Sequence, residues 1–229
     1  MKGIPFGVEV EFVAPYALFT DPVFKTGGEK VSYLWPVYGA IKGALGSTYK
    51  KPTFNWVVDE IRVMNEVRTE SRGFTVPHYK GGQADLATYL YLKDVRYKVR
   101  AHIEWNTNPE FDRYAEDRIA KKHEEIFWRA VTKSGGRHRV TLGPSECVAE
   151  IRPTVFDEGV GYYDNSGHQE LGCMEHCVLY SSEGYNAMTR ENPITVHFWM
   201  ATMDNGVIKF PRPDECTLVK PLIRKGAKE

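Results

Sequence analysis

The stretch YLYLKDVRYKVRAHIEW, residues 89–105, decides the fold. Every odd position in it except Lys93 is apolar or aromatic, and the even positions from 96 to 102 carry Arg, Lys, Arg and His. Alternation with a period of two over so long a run is typical of a β-strand that has one face on a core. The stretch therefore predicts a long central strand, around which the other elements can be placed.

Three periodic segments precede this strand. Residues 5–13 alternate and predict a half-buried strand. Apolar residues then recur at helical spacing after Pro36, which predicts a helix that ends near Tyr49. Residues 54–69 alternate again, and their predicted apolar face comprises Val57, Ile61, Val63 and Val67.

A helix and two strands are predicted after the central strand. Asp112 is the expected cap of a helix that runs to Lys133 and is closed by Gly135 and Gly136. Strands are expected at residues 137–142 and 147–152. The resulting βαββαβ order is the ferredoxin-like (RRM-like) arrangement, an α+β fold that by itself does not determine function.

The rest of the chain predicts a small C-terminal addition. Turn signals rich in Gly and Asn separate strand-like runs at residues 171–180 and 194–203. We therefore expect a ferredoxin-like domain over residues 1–153, which carries the site, and an antiparallel β extension with a basic tail over residues 154–229.

Composition says more about the compartment in which the protein works than about its activity. Thirty Lys and Arg balance thirty Asp and Glu, so any nucleic-acid surface has to come from local clustering. The four cysteines predict reduced thiols and no structural disulfide. The amino terminus has no uninterrupted apolar run, and we expect a cytoplasmic protein without a membrane span.

The basic positions of the central strand allow two interpretations. Arg96, Lys98, Arg100 and His102 form a stripe that can follow phosphates. Neighbouring strands, however, place Glu9, Glu11, Glu60 and Glu66 on the same side, where cross-strand ion pairs can neutralise the stripe. We favour ion pairing, so RNA, if the protein binds it, should bind elsewhere.

The second helix carries the most unusual pattern. Its predicted apolar stripe comprises Ala115, Ile119, Ile126, Phe127 and Ala130. His123 falls inside this stripe and Lys122 lies on its border. One interpretation is a core histidine beside a lysine that extends to solvent. The other interpretation is that Lys122 and His123 form a functional pair. In a βαββαβ fold the two helices run antiparallel, which brings Tyr49, at the end of the first helix, close to this pair.

Tyrosine, lysine and histidine together suit metal-free RNA cleavage, in which the ribose 2′-OH attacks its own adjacent phosphate. Histidine transfers protons near neutral pH, and lysine counters the charge that builds on the phosphorane. Tyr49 is expected to position the 2′-OH, or to share in proton transfer if its pKa is lowered.

The loop after the second helix is the predicted RNA-binding segment. Lys133, Gly135, Gly136, Arg137, His138 and Arg139 combine positive charge with glycines that allow close approach to phosphate. Lys25, Lys30, Lys42, Lys50 and Lys51 are candidates to extend it. A simple helix cap and turn is an equally open interpretation.

A metal centre is the competing type of site. Cys173, His176 and Cys177, with His168 nearby, resemble one, but the usual two separated ligand pairs of a zinc site are absent. We expect no metal and no cofactor.

Longer motifs resemble one family. They are YALFTDP (residues 16–22), GGEK, YGAIKG, KPTF, DEIRVMN, YLKDVRY, the pair Lys122 and His123, GGRHRVTLGPSEC (residues 135–147) and NGVIKFPRPDEC (residues 205–216). In this order they resemble the CRISPR-associated Cas family five proteins of the I-C (Dvulg) subtype, over nearly the whole chain.

The resemblance implies a metal-independent endoribonuclease that cuts CRISPR repeat RNA at the 3′ base of its stem-loop. It implies a 2′,3′-cyclic phosphate product, and an enzyme that stays with the mature guide RNA among the other subunits of a type I-C surveillance complex. When free, the chain is expected to be a monomer.

The resemblance also implies the site residues. The family's catalytic tyrosine falls on Tyr49, with Tyr38 as a weaker rival, and its lysine and histidine fall on Lys122 and His123. Because the sequence reads AKKHEE, Lys121 competes with Lys122. The alternative function is a scaffold that only holds the 5′ handle of the guide RNA.

Overall fold

The computed structural model describes residues 4–27, 29–76, 85–133, 135–184 and 194–221. It is an α+β fold in which a large, mostly antiparallel sheet dominates. The strands are β1 (Gly7–Ala17), β2 (Lys30–Val31), β3 (Phe54–Val63), β4 (Arg68–Val76), β5 (Asp85–Trp105), β6 (Glu150–Pro153), β7 (His168–Tyr180), β8 (Ile194–Asp204), β9 (Val207–Lys209) and β10 (Leu218–Pro221), and the α-helices are α1 (Tyr38–Thr48) and α2 (Ala120–Thr132). None of the helices formed by the described residues has the length and apolar character that crossing a bilayer requires.

Strand β5 is the centre of the sheet, as the sequence predicts. It pairs antiparallel with β1 on one side and with β3 on the other, so that Val99 lies opposite both Val10 and Ile61. The main path of the sheet runs β10-β8-β9-β3-β5-β1-β6. The odd positions of β5 from 95 to 103 are buried, which confirms the face predicted from their alternation.

The strand predicted at residues 54–69 is wrong in its second half. Strand β3 ends at Val63, and a separate strand β4 pairs with the first half of β5. A bulge between Val58 and Glu60 also reverses the alternation, so the core-facing residues are Phe54, Trp56 and Val58 before it, and Ile61 and Val63 after it. Val57 is buried outside this cluster, and Val67 only packs against its edge.

The second helix begins later than predicted. Asn108, not Asp112, caps the first turn, and its side chain accepts a hydrogen bond from the backbone N–H of Glu110 (3.0 Å). That turn belongs to a 3-10 segment, Pro109–Asp117, and the chain leaves helical geometry at residues 118 and 119 before α2 starts. Ala115 and Ile119 are exposed as a result, so the buried stripe is shorter than expected.

The strand predicted at residues 137–142 is also wrong. The backbone N–H groups of Arg137 and His138 donate to the carbonyl oxygens of Thr48 (3.1 Å) and Ser47 (2.8 Å), at the carboxyl end of α1. These carbonyls have no partner inside the helix, so the loop satisfies them instead of pairing in a sheet. Gly136 lies against the same helix end, where a Cβ atom would make an ordinary contact of 3.4 Å with the Cα atom of Thr48.

The C-terminal strands continue the same sheet. The runs predicted at residues 171–180 and 194–203 are confirmed as β7 and β8, which pair antiparallel. Strand β9 joins this hairpin to β3. The division of the chain at residue 153 stays a prediction. All four cysteines are free.

The histidines that resemble metal ligands in the sequence are engaged in other contacts. His176 is fully buried, its ring stacks on Tyr38 at 4.1 Å, and its Nε2 atom donates to the carbonyl oxygen of Pro211 (3.0 Å). Cys173 is exposed, and His168 pairs with Asp204. Among the described residues, no three His, Cys, Asp or Glu side chains are placed to hold a metal ion.

Burial of His176 predicts an acid-sensitive fold. Burial lowers the pKa of His176 from 6.5 to about 4. Between pH 6.5 and 4, His176 is protonated in the unfolded chain but not in the folded chain. The free energy of unfolding therefore falls by up to about 1.4 kcal/mol per pH unit as the pH is lowered over this range. The total is about 3 kcal/mol. Urea denaturation of the wild type and of His176→Gln between pH 7 and 4 measures this slope. An equally steep slope in the variant would contradict the assignment.

Candidate active site

Tyr49, His123 and Asp117 form a continuous hydrogen-bonded chain between the ends of the two helices. Tyr49 follows the last residue of α1, and its hydroxyl lies 2.8 Å from Nδ1 of His123. On the other side of the ring, Nε2 lies 2.6 Å from the backbone carbonyl oxygen of Asp117. Since a carbonyl only accepts, Nε2 carries a proton, and in the neutral imidazole Nδ1 accepts from Tyr49.

Aromatic rings enclose this chain. His123 has no exposed surface, and its ring centroid lies 5.3 Å from that of Phe54 and 5.7 Å from that of Trp105. Tyr49 is only 8% exposed, and burial, aided by the charge of Asp117, raises the pKa of Tyr49 to about 12. The condition of a lowered tyrosine pKa is therefore not met. Tyr49 stays protonated, and its hydroxyl donates a hydrogen bond to Nδ1 of His123.

Lys122 joins the site through Asp117. Its Nζ atom donates to Oδ1 of Asp117 (2.5 Å), and the lysine side chain is about half exposed (47%). This hydrogen bond is the main reason why the pKa of Asp117 is lowered, and Oδ2 also accepts from Thr53. Within the described part of the chain, Lys121 makes no ion pair. The geometry thus connects Lys122, not its neighbour, to His123.

Asp117 is the residue that sequence reasoning missed. In one unbroken helix, residues 117 and 123 would lie on different faces, because six residues turn the helix by about 240°. The break at Arg118 and Ile119 turns the Asp117 carbonyl back towards His123 instead. The sequence signal for this break is Asn108 followed by Pro109. These two residues are typical of a helix start, and a helix that starts there can end before a second one begins at Ala120.

Tyr38, the rival tyrosine, lies elsewhere. It is fully buried in α1 and contacts the rings of His176 and Phe210. Its ring therefore belongs to the interface between α1 and the C-terminal strands. Only Tyr49 of the two forms a hydrogen bond with His123 among the described contacts.

Three of the four basic positions of β5 pair with acidic side chains, as the favoured interpretation predicts, and the fourth, Lys98, binds backbone carbonyls. Arg96 binds Glu11 (2.7 Å), Arg100 binds Glu9 (2.9 Å) and Glu60 (2.8 Å), His102 pairs with Asp59 (2.8 Å), and Lys98 donates to the carbonyl oxygens of Val155 (2.7 Å) and Glu158. Glu66 is an exception, since it pairs with Arg68 in the next strand. The charges on this sheet face are already satisfied.

Cations without acidic partners gather instead where α1 and α2 end. Tyr49, Arg129, Lys133, Gly135 and Arg137 line a cavity of about 380 Å³ together with Thr48, Ile126 and Ala130. Lys50, Arg137 and His138 line a second one of about 590 Å³, to which Glu175 and Glu183 also belong. Within the described ranges, none of the following has an ion pair: Lys50, Lys51, Arg129, Lys133, Arg137 and Arg139.

Of the remaining candidates, two lysines are already engaged. Lys42 pairs with Glu183 (2.6 Å), and Lys30 lies over the ring of Tyr89. Gly136, His138 and Arg139 line a third cavity beside β6. The side chain of Lys25 lies outside the described residues. The cationic region is therefore centred on the loop after α2 and on residues 50 and 51.

Known proteins are similar to this chain in sequence and in fold. Two curated relatives are named CRISPR pre-crRNA endoribonuclease Cas5d. The one from Mannheimia succiniciproducens is 28% identical over 223 residues, which cover 86% of this chain and 91% of the relative. The one from Thermus thermophilus is 31% identical over 156 residues, which cover 64% of this chain and 63% of the relative.

A solved structure gives the same picture. The crystal structure of a CRISPR-associated protein superposes with a TM-score of 0.75 at 30% identity, covering 94% of this chain and 96% of that one. In addition, the family model for Cas5d, described as CRISPR-associated protein (Cas_Cas5), matches residues 7–211. The chain therefore belongs to the Cas5d family, the subtype I-C branch of the CRISPR-associated Cas5 proteins.

Proposed function

We propose that this protein is a metal-independent endoribonuclease that cuts CRISPR precursor RNA at the 3′ base of the repeat stem-loop. We further propose that it stays bound to the mature guide RNA as a subunit of the type I-C surveillance complex. The observation that carries the proposal is the hydrogen bond from Tyr49 to His123 beside a cavity lined by unpaired cations. The names of the two curated relatives support the same reaction.

Tyr49 connects the buried histidine to the substrate. As the 2′-OH attacks the adjacent phosphorus, its proton passes to the Tyr49 oxygen, and Tyr49 passes its own proton to Nδ1 of His123. The bond from O2′ to phosphorus forms and the bond from phosphorus to O5′ breaks. The 5′-oxygen leaves as a hydroxyl after taking a proton from solvent, and a 2′,3′-cyclic phosphate remains.

Asp117 and Lys122 act on the charges that develop. The imidazolium formed at His123 keeps its hydrogen bond to the Asp117 carbonyl, and the Asp117 carboxylate, 3.7 Å from Nε2, stabilises its charge. Lys122 is exposed enough to exchange Asp117 for a phosphate oxygen. It then counters the negative charge of the phosphorane.

We also propose that β1, α1, β3, β5, α2 and β6 form a ferredoxin-like core, to which residues 154–229 are added. The sheet order β3-β5-β1-β6 supports this, since the two central strands are then the first and third of the βαββαβ unit. In such a core the carboxyl end of α1 approaches the start of α2. This accounts for the contact between Tyr49 and His123.

A guide-RNA scaffold without activity is the second candidate function. The observation that favours it is the burial of His123, which has no exposed surface of its own. A core histidine of this kind can simply tie α2 to α1. The loop cations would then hold the 5′ handle of the guide RNA.

Incubation of the purified full chain with its repeat RNA in EDTA separates the two functions. The proposed enzyme cuts the RNA once, at the 3′ base of the stem-loop, whereas the scaffold binds it and leaves it intact. Binding without cleavage at any protein concentration would overturn the enzyme and retain the scaffold.

RNA affinity should depend on the loop cations. The double substitution of Arg137 and Arg139 by Gln is expected to weaken binding about 10²-fold or more, because each charged hydrogen bond to phosphate contributes about 1.5–3 kcal/mol. Filter binding at constant salt measures this. The matched control is Arg96→Gln with Arg152→Gln, two arginines that are already paired with acids. Equal losses in both double variants would contradict the assignment of the loop.

A further inference from the structure

Two cations of α2 and the lysine that follows its last residue lie towards one side of the helix. Lys122, Arg129 and Lys133 are separated by seven and four residues, which at 100° per residue places their directions within about 20° of a common line. Lys122 belongs to the hydrogen-bonded chain of the site, and Lys133 belongs to the predicted RNA-binding loop. Arg129 lies between them, and neither its sequence context nor the family resemblance gives it a function.

Arg129 also faces the tyrosine of the site. It lines the cavity of about 380 Å³ that Tyr49 lines, and Arg137 completes the positive wall of that cavity. The apolar part of the lining comes from Ile126 and Ala130, and no acidic side chain belongs to it. A cavity with three cations, one phenol and no carboxylate matches a phosphodiester rather than a cation or an apolar ligand.

The guanidinium of Arg129 is available for a ligand. Its side chain is exposed, and it makes no ion pair with any described residue, unlike Arg96 and Arg100 on the sheet. A structural explanation exists, because a cation in the last turn of a helix stabilises the helix dipole. That explanation predicts an effect on stability, whereas a phosphate ligand predicts an effect on the salt dependence of RNA binding.

We propose that Arg129 binds a phosphate group next to the scissile one, and that the RNA strand runs along α2 from Lys122 towards Gly135. This rests on the proposed function. Lys122 and Arg129 are about 10 Å apart along the helix axis, so they contact different phosphates of one strand. Arg129 then fixes the register that brings one particular 2′-OH to Tyr49.

The test compares Arg129→Gln, Arg129→Lys and the control Arg113→Gln. Arg113 is an exposed arginine over the ring of Tyr114; it makes no ion pair with any described residue, and it lines none of the cavities described above. RNA affinity is measured at several salt concentrations, and cleavage at saturating RNA is measured in EDTA.

Arg129→Gln is expected to bind RNA roughly tenfold more weakly at low salt. The slope of log affinity against log salt should fall by about 0.7, the contribution of one phosphate contact to single-stranded RNA. Arg129→Lys should keep the slope, and Arg113→Gln should keep both slope and affinity. Thermal unfolding of all three variants checks that each one keeps the wild-type fold.

Two outcomes separate this inference from the proposed function. If the wild type cuts RNA and Arg129→Gln keeps the wild-type slope, the phosphate contact is wrong and the nuclease stands. If the wild type binds without cutting and Arg129→Gln still lowers the slope, the contact stands and the nuclease is wrong. An equal loss of slope in Arg113→Gln would overturn the contact as well.

Discussion

Replacement of His123 by Gln is expected to lower the single-turnover cleavage rate of repeat RNA about 10²–10⁴-fold, the usual contribution of a general base. RNA affinity should change little, because His123 is fully buried and does not itself face the cationic cavity. The rate is measured in EDTA with protein in excess over RNA, and affinity is measured under the same conditions.

Glutamine is preferred to alanine at this position. Its amide nitrogen can donate to the Asp117 carbonyl and its amide oxygen can accept from Tyr49, so both hydrogen bonds of the histidine have a replacement. It cannot take up a proton near neutral pH. His123→Ala should lose activity too, but it also leaves a cavity between Phe54 and Trp105 that costs stability.

His176→Gln is the matched control. It makes the same change at the second fully buried histidine, which lies against Tyr38 instead of Tyr49. At neutral pH it should cut at the wild-type rate. A folded His123→Gln protein with full activity would contradict the mechanism and favour a core histidine.

Tyr49→Phe is expected to lower the cleavage rate about 10²-fold or more, since in the proposed mechanism the hydroxyl is the path by which the proton of the 2′-OH reaches His123. The substitution removes one oxygen atom and keeps the ring that packs against Phe54. The hydrogen bond from Trp56 Nε1 goes to the backbone carbonyl of Tyr49 and is also kept. The fold should therefore be retained, with the loss confined to the rate.

Tyr38→Phe provides the comparison for the tyrosine. It removes a hydroxyl from the other candidate, whose ring lies on His176. Between pH 6 and 9, the single-turnover rate of Tyr38→Phe should match that of the wild type. The rate of Tyr49→Phe should be lower than that of the wild type at every pH in this range. The reverse result would transfer the catalytic tyrosine to Tyr38.

Local sequence patterns predicted the strand and the helices that position the candidate site. The alternation over residues 89–105 located β5, and helical spacing after Pro36 located α1 with Tyr49 at its end. The position of His123 within an apolar stripe predicted its burial. Since two helices on adjoining βαβ connections run antiparallel, the meeting of Tyr49 and His123 also followed from the order of elements.

Contacts between distant segments could not be predicted in this way. The loop at residues 137 and 138 pairs with the end of α1 because it finds unsatisfied carbonyls there, and no local pattern encodes that partner. The bulge in β3 likewise depends on its pairing with β5. Asp117 entered the site only because the helix breaks at residues 118 and 119, where the periodicity suggested continuity.

The chemistry of the cut end tests the central claim most directly. After cleavage in EDTA, the upstream RNA fragment is analysed by mass spectrometry. Attack by the 2′-OH through Tyr49 and His123 predicts a 2′,3′-cyclic phosphate on that fragment and a 5′-hydroxyl on the other. An upstream fragment that ends in a 3′-hydroxyl, with the phosphate on the downstream fragment, would contradict the account.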